Sequence, residues 1–91
     1  MSTVSVKIPT QLRDAVGGNS TVDVDGDTVA ACLEAVFAGH PELKERISDD
    51  NGIRRFVNLY VGGEDVRFLE GLDTPTPAGS EITILPAVAG G

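Results

Sequence analysis

The feature that most limits what this chain can fold into is a hydrophobic period that changes twice. Thr3-Val4-Ser5-Val6-Lys7-Ile8 alternates polar and apolar residues, which puts Val4, Val6 and Ile8 on one face of a strand. Thr21-Val22-Asp23-Val24 alternates in the same way. From Val29 the spacing becomes helical, with Val29, Cys32, Leu33, Val36 and Phe37 at i, i+3, i+4, i+7 and i+8 along one stripe. Alternation returns in Phe56-Val57-Asn58-Leu59-Tyr60-Val61 and in Glu81-Ile82-Thr83-Ile84-Leu85. A single apolar stripe and several one-sided strands bury their surfaces together by layering the helix on one sheet face. The expected fold class is therefore α+β in the order β-β-α-β-β, a mixed sheet with one main helix.

The punctuation agrees. Pro9 ends the first strand, and residues 9–20 read as a long hairpin loop around Gly17-Gly18-Asn19, with Leu12 and Val16 placed to fold back. Asp27 or Thr28 can cap the helix, Gly39 with Pro41 can stop it, and Pro41 to Ile47 reads as a short second helix. Asp49-Asp50-Asn51-Gly52 is a turn, and Gly62-Gly63-Glu64-Asp65 turns the chain into an expected strand at Val66-Arg67-Phe68. Residues 69–80, with Gly71, Pro75, Pro77 and Gly79, form an irregular crossover, and Pro86 is expected to end the last ladder. No linker or repeat divides the 91 residues, so one domain is expected, globular to about residue 86, with a tail at 87–91.

Charge excludes several functions. The formal net charge is −7, with the deficit carried by Asp14, Asp23, Asp25, Asp27 and Glu34 and by Glu64, Asp65, Glu70, Asp73 and Glu81 against Arg67. Phosphate backbones and anionic lipid surfaces repel such a chain, so neither nucleic acid nor membrane is expected as a partner, whereas a basic protein surface attracts it. One cysteine permits neither an internal disulfide nor a multi-thiolate metal site. No apolar run has the length of a membrane helix and no signal peptide precedes the first strand, so a cytoplasmic location is expected.

Conventional catalysis finds no support. Cys32 lies inside the helix stripe and reads as core, and His40 sits between a helix-ending Gly and a Pro. Asp23, Asp25 and Asp27 resemble half a calcium loop but lack the distal bidentate Glu. Gly17-Gly18 and Gly62-Gly63 lack the lysine and following helix of a phosphate loop. No catalytic residue, bound metal or bound cofactor is expected.

The carboxyl terminus is unusual instead. Pro86-Ala87-Val88-Ala89-Gly90-Gly91 has no charge and no bulk, and extended it reaches roughly 20 Å. Such a tail suits a narrow channel, and Gly91 leaves its carboxylate open to attack from every side.

With these features the chain resembles the β-grasp sulfur carriers of the MoaD/ThiS family, relatives of ubiquitin. Ile84-Leu85-Pro86-Ala87-Val88-Ala89-Gly90-Gly91 is similar to the family's terminal signature. Ile8-Pro9-Thr10 with Leu12-Arg13, Arg55 to Val61 and Glu64-Asp65-Val66-Arg67-Phe68 are similar to the CysO-type branch of actinobacterial cysteine biosynthesis. The resemblance spans essentially the whole chain. It implies a protein co-substrate and not an enzyme. An E1-like adenylating enzyme of the MoeB/ThiF type, with sulfurtransferase activity, would use ATP to adenylate Gly91, and a sulfur donor would leave a thiocarboxylate there. In the CysO-type branch a PLP-dependent cysteine synthase and a JAMM zinc metallopeptidase would then complete cysteine formation; other sulfur-accepting synthases are further partners of the family. Pro86, Ala87, Val88, Ala89 and Gly90 would thread the partner's active site.

Docking needs a surface as well as a tail. With Val57, Leu59, Val61, Ile82 and Ile84 turned toward the helix, alternation turns Phe56, Asn58, Tyr60, Thr83 and Leu85 outward as a patch at the root of the tail, unless the 69–80 crossover covers it. Three other functions share these features: a ubiquitin-like modifier attached through Gly91, the small subunit of a molybdopterin-synthase-like complex, and a non-catalytic binding module.

Overall fold

The computed structural model describes residues 3–49, 52–53 and 57–86. The strands are β1 (Thr3–Lys7), β2 (Thr21–Asp25), β3 (Ser48–Asp49), β4 (Gly52–Ile53), β5 (Val57–Val61), β6 (Glu64–Asp65) and β7 (Glu81–Pro86), and the α-helices are α1 (Val29–Gly39) and α2 (Pro41–Ile47). Five of the strands form one mixed sheet in the order β2-β1-β7-β5-β6, while β3 and β4 make a separate small ladder. β1 and β7 run parallel at the centre, and the other pairings are antiparallel.

Register follows from the alternation, because a one-residue slip would turn each apolar set to the wrong face. Val6 faces Val22 on one side and Ile82 on the other, and Ile82 faces Val61, so one apolar row crosses four strands. Val4 with Val24 and Leu59 with Ile84 make the neighbouring pairs on the same face. Val29, Cys32, Leu33 and Val36 of α1 are buried with this face, and Phe37 packs at its margin. α2 adds Leu43 and Ile47, and the 3₁₀ helix Thr10–Val16 adds Leu12, Ala15 and Val16.

Thr28 is the residue that caps α1. Its Oγ1 accepts a hydrogen bond from the Ala31 N–H at 3.2 Å, a contact worth about 1 kcal/mol. The helix ends at Gly39, where the His40 N–H still donates to the Val36 carbonyl at 2.8 Å. Gly26 lies against the first turn of α1: a Cβ built there would stand 2.8 Å from both the Cys32 N and its Sγ. Thr76, from the crossover, closes the same junction by donating to the Gly26 carbonyl at 2.9 Å, with its Oγ1 3.5 Å from the Cys32 Sγ.

Three local expectations need correction. The segment Val66–Phe68 is a 3₁₀ turn and not a strand. Val66 is 6% exposed and Phe68 87%, although both would share one face of a strand. The strand returning from Gly62-Gly63 is Glu64–Asp65, and the Asp65 carboxylate stops it by accepting the Arg67 N–H at 2.9 Å. Within the expected loop, Thr10–Val16 forms a 3₁₀ helix tied to α2 by a bidentate Arg46–Asp14 pair at 2.9 Å for each bond. Finally, β7 includes Pro86, opposite Val57, one residue beyond the expected end; lacking an N–H, Pro86 can only accept there.

Candidate functional site

The tail grows from the middle of the sheet. β1 pairs with residues 81–83 of β7 on one side and β5 with residues 82–86 on the other, so the last described residue, Pro86, ends the central strand with β5 alone beside it. Ala87, Val88, Ala89, Gly90 and Gly91 lie outside the described residues, as does Phe56.

The other expected patch residues lie on the sheet face away from α1. Asn58 faces Leu85, and Tyr60 faces Thr83, in adjacent strands. Leu85 is 45% exposed, whereas Asn58, Tyr60 and Thr83 are half-buried. The patch is therefore one protruding leucine on a flatter polar and aromatic floor. The crossover does not cover it. Thr74 accepts from the Val29 N–H at 3.1 Å through its carbonyl, and Thr76 donates its N–H to the Asp27 carbonyl at 2.9 Å, which keeps that segment at the amino end of α1.

Charged side chains frame this face. Lys7 of β1 pairs with Glu81 of β7 at 3.6 Å, both half-exposed, a contact worth about 0–1 kcal/mol. Lys7, Arg13 and Thr83 border a cleft of about 350 Å³ beside the outer face, on a molecule that is otherwise acidic. On the opposite flank, Arg67 donates from Nε to Asp65 Oδ1 at 3.2 Å, from a terminal nitrogen to Asp65 Oδ2 at 2.9 Å, and from the same nitrogen to Asn58 Oδ1. The side-chain and backbone hydrogen bonds from Arg67, reinforced by its charge, hold the Asp65 carboxyl below its ordinary range, while Asp65 raises the Arg67 guanidinium. Sequence reasoning missed this cluster. Its available signal was an Asp two residues before an Arg, shortly after a Gly-Gly turn, the spacing of a side-chain-capped turn.

The residues weighed for conventional chemistry do not assemble. Cys32 is fully buried and contacts Thr76, and His40 sits at the junction of α1 and α2. Among the described residues no three His, Cys, Asp or Glu side chains gather as a metal site, and no helix is long and apolar enough to cross a membrane.

A five-stranded mixed sheet grasping a helix, with the parallel pair β1 and β7 at its centre, defines a ubiquitin-like β-grasp domain. The chain belongs to the ThiS family, whose pattern matches residues 6–91. It is 46% identical over 91 residues to the sulfur carrier protein CysO of Mycobacterium tuberculosis (strain ATCC 25618 / H37Rv), covering 97% of this chain and 98% of that protein. A chain in the crystal structure of the Amycolatopsis orientalis BexX/CysO complex superposes with a TM-score of 0.89 at 44% identity, covering 97% of this chain and 99% of that one. Small archaeal modifier protein 1 of Haloferax volcanii is 35% identical over 88 residues, covering 93% of this chain and 97% of that protein. These relatives are carriers and modifiers and not enzymes, and the chain is a homologue of the CysO sulfur carriers.

Proposed function

We propose that this protein carries sulfur as a thiocarboxylate on Gly91, most directly for cysteine formation. The observation that carries the reading is the 46% identity to a CysO sulfur carrier along 97% of the chain, together with a family match that runs to the last residue. A carboxylate is a poor electrophile because its leaving group would be oxide. An E1-like adenylating enzyme of the MoeB/ThiF type would use ATP to join AMP to the Gly91 carboxylate, and a sulfur donor would displace the AMP. The terminal sulfur would then attack the Cβ of an activated serine held by a PLP-dependent synthase, expelling its leaving group and forming a thioester. After the acyl group shifts from sulfur to the amino nitrogen, a JAMM zinc metallopeptidase would hydrolyse the resulting amide to free the cysteine. In this scheme the chain's own residues bind and deliver. The outer face at Leu85 docks, and the end of β7, held in register by β5 through Val57 opposite Pro86, aims the tail.

Deletion of Gly91 tests the reading. It would leave Gly90 carrying the carboxylate about 3.5 Å short of its place in the partner's site, and an error of even about 1 Å can cost roughly a hundredfold in rate. ATP–pyrophosphate exchange with the adenylating enzyme from the same host should therefore be abolished. Exchange at the native rate would sink the proposal.

A second reading has its own support in the 35% identity to small archaeal modifier protein 1. The same activated Gly91 would then be joined to lysines of other proteins. Mass spectrometry of material from the host separates the two. An oxygen-to-sulfur mass gain on the free chain supports the carrier, and target lysines joined to Gly91, which after trypsin keep the whole 68–91 segment because Arg67 is the last basic residue, support the modifier.

A further inference from the structure

Four large apolar side chains stand exposed among the described residues, and three of them, Phe68, Leu69 and Leu72, fall within five positions of one another. Phe68 is the extreme at 87% exposure. It is carried on a built turn. Val66 is buried beneath it, Asp65 holds the Arg67 N–H and guanidinium, and the Leu69 N–H donates to the Val66 carbonyl at 3.0 Å. The next 3₁₀ turn, Gly71–Asp73, packs against the first. Thr74 pins it by accepting from the Glu70 N–H at 3.1 Å and donating to the Gly71 carbonyl at 2.7 Å. A protruding aromatic on a pre-ordered turn is what an interface anchor needs, since little entropy remains to be lost on binding.

The surrounding charge says what kind of surface fits. Glu64, Glu70 and Asp73 are exposed and make no ion pair among the described residues, whereas Arg67 is already paired with Asp65. A second copy of this chain would bring the same carboxylates together, so self-association is disfavoured and a basic rim is favoured. The turn is also continuous with the tail-root face, because Arg67 donates to Asn58, and Asn58 faces Leu85.

We propose that the Phe68 turn is the second half of the docking surface. The enzyme that receives the tail has, beside its site for Leu85, an apolar pocket edged by Lys or Arg side chains that takes Phe68. This rests on the carrier reading and adds to it where the partner grips and with what chemistry. The grip is remote from Gly91 and contributes binding alone, so it acts on KM and not on kcat.

The test is pyrophosphate exchange by the host adenylating enzyme at increasing concentrations of the full chain. Phe68→Ser should raise KM roughly tenfold with kcat and Tm unchanged. Replacing the rim with Glu64→Gln, Glu70→Gln and Asp73→Asn together should raise KM at low salt and flatten its salt dependence. The rim set changes charge alone, and it decides the matter if Phe68→Ser lowers Tm. KM values within about twofold of native for both variants, with exchange still abolished by deleting Gly91, would overturn the second grip and leave the carrier reading standing. No exchange by the native chain would overturn both.

Discussion

The two faces of the five-stranded sheet are made from the same strands and differ in almost everything else. Toward α1, Val4, Val6, Ile82 and Ile84 are wholly buried. Away from α1, the same strands present Ser5, Lys7, Thr83 and Leu85, none of them buried. Alternation is the cause, since successive side chains of a strand point to opposite sides. The lesson is a division of labour at single-residue resolution. Inward positions hold the fold together, and outward ones are free to serve recognition because folding asks little of them.

Substitutions on the two faces should therefore separate stability from partner affinity. The largest expected loss is at the centre of the buried side. Leu33→Ala removes a side chain that is 3% exposed and should cost about 2–5 kcal/mol in chemical denaturation. A loss under about 0.5 kcal/mol would mean that the helix is not packed as described. Gly26→Ala comes next. Its Cβ would collide with the Cys32 backbone nitrogen, which cannot swing aside like a side chain, so the expected cost is about 1–3 kcal/mol. Full stability in that variant would break the account of the Gly26–Cys32–Thr76 junction.

The outward face should give the reverse pattern. Leu85→Glu leaves the core untouched and should barely move the melting temperature, yet raise KM for the adenylating enzyme roughly tenfold, about 1.4 kcal/mol. A variant that melts early but is activated normally would invert the comparison. The smallest effect is at Asp65. Its pKa is held below the ordinary 3.8 by Arg67, so it stabilises the fold above that value, and this contribution is lost as pH falls through the native pKa. Native chain should out-melt Asp65→Asn at neutral pH, and the gap should close in acid. A gap that widened in acid would give the ion pair the wrong sign.

Legibility followed the range of the interactions. The β1–β2 alternation, the α1 stripe and the Pro at the start of α2 were readable because their causes lie within a few residues. Val66-Arg67-Phe68 was misread because three residues alternate by chance as easily as by design. What decides them is the side chain of Asp65 capping the turn and the core accepting Val66 alone. The outward patch was readable as a face but not in its contacts, since Asn58 accepts a hydrogen bond from Arg67, which reaches it from another segment.

Period and punctuation by themselves determined that this chain is an α+β domain with one striped helix, and composition determined that its surface is acidic and its tail slim. These are properties of local geometry and of residue inventory, so no folding was needed to see them. Only the tertiary structure decided that β7 enters between β1 and β5, parallel to the one and antiparallel to the other. Only it showed that Gly26 must be glycine because α1 passes against it, and that Phe68 stands out while Val66 sinks in. Each of these depends on atoms far apart in the chain meeting at van der Waals range, and close packing at that range is a property of the assembled core that no short window of sequence contains.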